Sequence, residues 1–306
     1  MMQATRRKPT FMGATRTRIP KGFNAAVFGA PHGTPYPGID NRVHATAPDA
    51  FRKALAGDGE WLDHWDYDFG GPFLGNGKCR VADLGNLATK SRDGKGNRKL
   101  IEAQTRNILA AGAIPLMFGG DDSTPIPFIA GFSGSRPLTI LQIDAHIDWR
   151  NERYGEKFGF SSTMRRASEQ PHVWRIVQAG ARGIGSAREE EVNIASQWGA
   201  HIFTSHHIHH HGLKDVLENI PEDSDCLVTL DCDALDTSEM AAVAHPSPGG
   251  LTYVQVIDLI AGVAVKARLA GFTMVEFAPK RDPEGAFAYT AGRIAANVIG
   301  HIARQN

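Results

Sequence analysis

The chain carries three short stretches in which carboxylates crowd the end of an apolar run. In residues 137–150, Pro-Leu-Thr-Ile-Leu-Gln-Ile leads into Asp144, His146 and Asp148 at alternate positions. A backbone that stays extended past a strand end points residues two apart the same way, so two carboxylates and an imidazole converge on one side. Like charges that close repel by several kcal/mol unless a cation lies between them. Residues 226–236 repeat the design: Cys-Leu-Val-Thr-Leu, then Asp231, Asp233 and Asp236, with Cys232 pointing the other way. A third apolar run, 114–118, enters Gly119-Gly-Asp-Asp-Ser123, where two glycines let the backbone approach closely. One of Asp121 and Asp122 is expected to cap the next element, leaving the other free to reach a metal.

Two strand ends with side-by-side carboxylates and one imidazole can bridge two divalent ions about 3.5 Å apart, the arrangement that activates a water near neutral pH. The bland alternative, Asp144 as a cap and His146 as a satisfied polar residue, accounts for one stretch but not for the repetition.

The elements around these stretches alternate. Strands are expected near 25–28, 80–84, 114–118, 137–143, 175–179, 202–204, 226–230 and 272–276. Helices are expected near 48–55, 97–111, 163–168, 187–198, 213–219, 252–269 and 287–302. Alternation throughout implies a parallel sheet covered on both faces, with function at the carboxyl ends of the strands. All three acidic clusters fall there. Residues 1–21 are basic without hydrophobic periodicity and read as an extended arm lying on another surface, such as another subunit; residues 22–306 read as a single domain. His32 and Tyr36 lie on a Gly- and Pro-rich loop, where His32 is expected to be a hydrogen-bonding loop residue. His206, His207, His209, His210 and His211 read as a solvated surface cluster in a strand-to-helix turn.

Composition sets limits. Lys plus Arg number 33 and Asp plus Glu number 33, which argues against a nucleic-acid or anionic-membrane partner. No apolar run reaches the ~18 residues of a membrane span, and the first residues lack a secretion signal's apolar core. The expectation is a cytoplasmic protein. Cys79, Cys226 and Cys232 are too few and too irregularly spaced for a disulfide framework or a zinc knuckle.

Taken together, Gly119-Gly-Asp-Asp-Ser123, Asp144-Ala-His-Ile-Asp148, Asp231-Cys-Asp-Ala-Leu-Asp236, Pro248-Gly-Gly-Leu251 and Val275-Glu276 resemble the ureohydrolase family of arginase and agmatinase, in that order. The resemblance covers about residue 24 to the C-terminus. It implies an α/β three-layer sandwich with a mostly parallel sheet, a binuclear manganese or nickel centre, hydrolysis of a guanidine to urea and an amine, and assembly into trimers or hexamers. It implies Asp144, His146, Asp148, Asp231 and Asp233 as five metal ligands, with Asp144 and Asp231 bridging. Asp148 would also pass a proton to the leaving nitrogen, and Glu276 would accept hydrogen bonds from the guanidinium. Two departures stand out. Asp122 replaces the family's usual histidine as sixth ligand, which hardens the site. Phe160 stands where the family's proton-shuttling histidine is expected. Thr237 and His245 also depart from the family pattern, and His245 is a candidate to take over the shuttle.

The leading reading is an active amidinohydrolase on a small guanidino substrate, as a homo- or hetero-oligomer. The rival is a catalytically weak or inactive structural subunit that partners an active paralogue, favoured by Phe160 and the altered 237–245 loop. Another metal hydrolase on the same fold, such as a deacetylase, lacks its paired histidines. For the substrate, an uncharged or alkyl-bearing guanidine is expected to suit apolar Phe160 and Trp149. Guanidinobutyrate, agmatine, guanidine and biguanides stay open.

Overall fold

The computed structural model describes residues 9–75, 77, 79–185 and 187–305. The β-branched and aliphatic runs form the strands β1 (Thr15–Arg16), β2 (Ala25–Ala30), β3 (Val81–Asn86), β4 (Ile114–Gly119), β5 (Leu138–Ile143), β6 (Val173–Ala181), β7 (His201–Thr204), β8 (Asp225–Asp231) and β9 (Arg268–Val275). They make one sheet in the order β1-β3-β2-β4-β9-β8-β5-β6-β7, with every pairing parallel. Parallel pairing requires crossover connections, and helices supply them.

The central strands are buried on both faces, so their side chains divide between two cores. Cys226, Val228 and Leu230 of β8 meet the layer formed by α1 (Ala47–Ala54), α6 (Ser205–His211), α7 (Lys214–Glu218), α8 (Tyr253–Lys266) and α9 (Ala286–Ile302). Leu227 of β8 and Leu138 and Ile140 of β5 meet the layer of α2 (Gly94–Ala110), α3 (Pro125–Ala130), α4 (Thr163–Ser168) and α5 (Glu189–Trp198). Each fully buried Leu, Ile or Phe here contributes about 1.5–3 kcal/mol of transfer free energy. The result is the three-layer α/β sandwich that the sequence resemblance implies.

Two segments depart from expectation. Of the arm expected over residues 1–21, residues 1–8 lie outside the described residues. The part that follows packs on this domain: Phe11 is fully buried, and Thr15 and Arg16 add an edge strand to β3. The cause is a buried carboxylate. Asp83 accepts from the Phe11 backbone N–H (3.0 Å) and from two nitrogens of Arg52 (2.8 and 3.0 Å), so a fold that left residue 11 undocked would leave Asp83 short of a donor. The histidine run is helical: Thr204 Oγ1 accepts from the His207 backbone N–H (3.1 Å) and starts α6. Its rings stack in pairs, His206 on His210 and His207 on His211, and His207 pairs with Asp215.

Candidate metal centre

Four strands adjacent in the sheet, β4, β9, β8 and β5, carry the site at their carboxyl ends. Asp122 follows β4, Glu276 follows β9, Asp231 ends β8 with Asp233 in the helical turn after it, and Asp144, His146 and Asp148 follow β5. The convergence of residues two apart does not come from extended backbone, as the sequence pattern suggests, but from tight turns. The Asp144 carboxylate accepts from the His146 N–H (2.6 Å), and the Asp231 carboxylate accepts from the Asp233 N–H (2.7 Å). Gly180 makes room for the first turn: a Cβ there would lie 2.8 Å from the Asp144 carbonyl oxygen. Asp148 takes a left-handed conformation (φ +52°) that turns its carboxylate back toward β5.

Donor atoms gather in two groups, Asp144 with His146 and Asp233, and Asp122 with Asp144 and Asp231. Asp144 belongs to both. His146 Nδ1 lies 3.2 Å from Asp233 Oδ2 and 3.5 Å from Asp144 Oδ1. Burial, and then the neighbouring carboxylates, push the Asp122, Asp144 and Asp231 carboxyls well above their ordinary range. Burial alone would lower the His146 pKa, but Asp144 and Asp233 override it and push the ring up to about 12. Buried carboxylates this crowded are relieved by positive charge placed among them. Asp122 Oδ2 is buried with no hydrogen-bond partner, as a carboxylate aimed at a cation would be. The donor set therefore fits two divalent ions. Because ligation needs ionised carboxylates and a neutral imidazole, ion uptake is expected to release protons. Apparent affinity should fall steadily from about pH 8 to about pH 6, read by calorimetry in buffers of different ionisation enthalpy. Uptake independent of buffer and pH would refute it.

The other acid of the Gly-Gly-Asp-Asp-Ser stretch has the local role. Asp121 accepts from the Ser123 N–H (3.0 Å) and from Asn41 Nδ2 (2.5 Å). Asp236 accepts from the Gly249 and Gly250 N–H groups (2.9 and 3.1 Å), tying down the Pro-Gly-Gly loop. The Arg182 guanidinium holds the same region by donating to the carbonyls of Asp233 (2.6 Å) and Ser247 (2.8 Å).

Sequence reasoning missed three supporting residues. Gln142 donates from Nε2 to both Asp144 and Asp148 (2.7 Å each), and its Oε1 accepts from Gln178. A lone glutamine in an aliphatic strand was the signal available. His44 is buried, with Nδ1 at 3.0 Å from the Phe277 carbonyl and Nε2 at 3.0 Å from Glu276 Oε2. Glu276 Oε1 accepts from the Asp122 N–H (2.9 Å), so both of its oxygens are held.

A cavity of about 260 Å³ opens over the cluster, lined by Asp122, His146, Asp148, Asp231, Asp233 and Glu276 and also by Phe160 and His245. Trp149, expected beside the substrate, lies elsewhere: it is buried in the helix layer against Trp198, and its Nε1 donates to Gln178 (2.8 Å). The reversed backbone at Asp148 carries the next side chain away from the cavity. Arg150 and Arg153 line it instead.

Fold and site together define a protein of the metal-dependent hydrolase class with a two-cation centre. The arginase family matches residues 23–301, and the chain belongs to it. It is 28% identical over 211 residues to a guanidinobutyrase of Pseudomonas aeruginosa, covering 67% of this chain and 66% of that protein. It is 31% identical over 209 residues to an N(1)-aminopropylagmatine ureohydrolase of Thermus thermophilus, covering 67% and 68%. A proclavaminate amidino hydrolase of Streptomyces clavuligerus shares the fold, with a TM-score of 0.82 over 98% of both chains at 24% identity.

Proposed function

We propose that this chain hydrolyses a small guanidino compound to urea and an amine. It would hold two divalent cations through Asp122, Asp144, His146, Asp231 and Asp233, which make up the two donor groups, and through Asp148, which falls in neither group and is a ligand by the family resemblance. The observation that carries the reading is the sharing of Asp144 between two donor groups in one cavity with Glu276. Bound cations supply Lewis acidity that activates a water for attack on the guanidine carbon. Glu276, pinned by the Asp122 N–H and His44, presents a carboxylate to the planar fork of the guanidinium. Asp148, whose Oδ2 is held by Gln142, takes a proton on its other oxygen and delivers it to the leaving nitrogen. Five carboxylates and one imidazole are a hard donor set, which favours manganese over nickel. The reading carries with it a cytoplasmic protein that works as an oligomer, consistent with its balanced charge and free cysteines.

The test is urea release across a panel of guanidines by protein loaded separately with manganese and with nickel. No urea from any of them would favour the second reading, a subunit without turnover beside an active paralogue. Phe160 is the observation behind that reading, since its ring packs on Tyr36 (4.8 Å) where an acid-base histidine is expected. His245 is exposed at the cavity mouth, where a small change in shape is felt by the substrate. His245→Ala and His245→Phe are expected to move KM and to leave the pH dependence of kcat intact between about pH 6 and 9. Loss of about 10²-fold in kcat in both variants, with loss of a pH limb, would instead make His245 the proton carrier.

A further inference from the structure

The cavity is lined by charges of both signs. Its lining includes the acids Asp122, Asp148, Asp231, Asp233 and Glu276 and the cations Arg150 and Arg153. Among the described residues neither arginine has an ion-pair partner, although Glu152 and Glu156 are their neighbours in sequence. The Arg150 Nε is buried with no hydrogen-bond partner, while its Nη2 donates to the Gly185 carbonyl (2.7 Å), which fixes the direction of the guanidinium. A buried donor left unmatched in this way calls for an acceptor.

Arg153 is positioned by a tight turn. Its N–H and C=O exchange hydrogen bonds with Glu156 (3.0 Å each) across Tyr154 and Gly155, both at positive φ (+54° and +77°). The Arg153 guanidinium lies 5.6 Å from the ring centre of Tyr36 and 5.1 Å from that of Tyr154. Tyr36 is itself held by the Ser161 hydroxyl (2.6 Å). Stacking on ring faces occupies the flat side of a guanidinium and leaves its N–H edge free, the geometry that forks onto a carboxylate.

We propose that Arg150 and Arg153 bind a carboxylate at the far end of the substrate, so that the substrate is an ω-guanidino carboxylic acid. This rests on the guanidine-hydrolase reading above and reverses the expectation of an uncharged tail, which drew on Phe160 and Trp149; of the two, Phe160 lines the cavity and Trp149 does not. A cationic tail would meet two guanidiniums, and a methyl tail would leave the buried Nε unmatched.

The test uses the metal-loaded full chain and three guanidines of similar length, ending in a carboxylate (4-guanidinobutyrate), a methyl (butylguanidine) or an ammonium (agmatine). Binding is followed by calorimetry and turnover by urea release. 4-Guanidinobutyrate is expected to bind about 30-fold more tightly than butylguanidine, with agmatine weakest. In Arg153→Met and Arg150→Met the preference should shrink to about threefold or less with butylguanidine affinity unchanged, and Arg153→Lys should restore part of it. Equal or better binding of butylguanidine or agmatine, no binding of 4-guanidinobutyrate, or a preference that survives both Met variants overturns the proposal. Tail-dependent binding without urea release would instead sink the hydrolase reading and leave the carboxylate end standing. Urea release with no tail preference would do the reverse.

Discussion

Asp144→Ala is expected to strip both cations from the centre. Asp144 is the one residue in both donor groups, so its loss unmakes each of them, whereas a change at His146 or Asp122 touches a single group. Elemental analysis after loading should fall from two ions per chain to less than about half an ion, because the remaining ligands are too few for either site. kcat should drop by about 10³-fold or more, since the Lewis acid is worth several kcal/mol of barrier at 1.36 kcal/mol per decade. The variant should nonetheless fold well. It removes one of several buried like charges, so its metal-free form should melt no lower than metal-free wild type. Two ions retained in Asp144→Ala would refute the shared-ligand geometry.

Glu276→Gln is expected to end turnover with the ion content unchanged. Glu276 belongs to neither donor group, yet it shares the cavity with them and has both oxygens held in place. Glutamine keeps the shape and an acceptor for the Asp122 N–H, and loses the charge that a guanidinium needs opposite it. A loss of about 10²–10³-fold in kcat/KM is the scale for removing one such aimed electrostatic contact. A second readout is pH. Burial alone would lower the His44 pKa, but Glu276 and the Phe277 carbonyl push it up to about 9. A raised folded pKa means that the pair's stabilisation is complete below the histidine's ordinary pKa and disappears as pH climbs through about 9. Denaturant midpoints of wild type and Glu276→Gln should therefore differ most at about pH 6 and converge above about pH 9.5. Unchanged urea release from the variant would remove Glu276 from the chemistry.

The candidate ligands were legible because a ligand set of this kind leaves a local mark. Asp-X-His and Asp-X-Asp at the end of an aliphatic run are unusual within a few residues, whatever the turn that makes them converge. The residues that hold the ligands left no such mark. His44 is 232 positions from Glu276 in sequence, and nothing in Asn-Arg-Val-His names its partner. Gln142 and Gln178 face each other only because β5 and β6 pair in that register. Trp149 misled for the opposite reason: adjacency to Asp148 suggested a shared cavity, and the positive φ at Asp148 separates them. Arg150 and Arg153 looked like ordinary loop polarity, and their roles appear only once Tyr36, from a loop more than a hundred residues earlier, is seen beneath Arg153. The helix at 205–211 was hidden by composition, since histidine is an indifferent helix former and the Thr204 cap decides the matter.

The order of strands across the sheet also governs how the protein is made. β9 is the last strand in the chain, yet it pairs with β4 on one side and β8 on the other, in the middle of the sheet. Until residues 268–275 leave the ribosome, β4 and β8 each present a bare, apolar edge, and the two halves of the sheet have nothing to join them. Such a nascent chain is exposed to wrong pairings for most of its synthesis. The donor group of Asp122, Asp144 and Asp231 is likewise divided until then, because Asp122 follows β4 on one half-sheet and its partners end β5 and β8 on the other. Assembly of that second donor group is thus tied to closure of the sheet, whereas Asp144, His146 and Asp233 already stand together on the β5–β8 half.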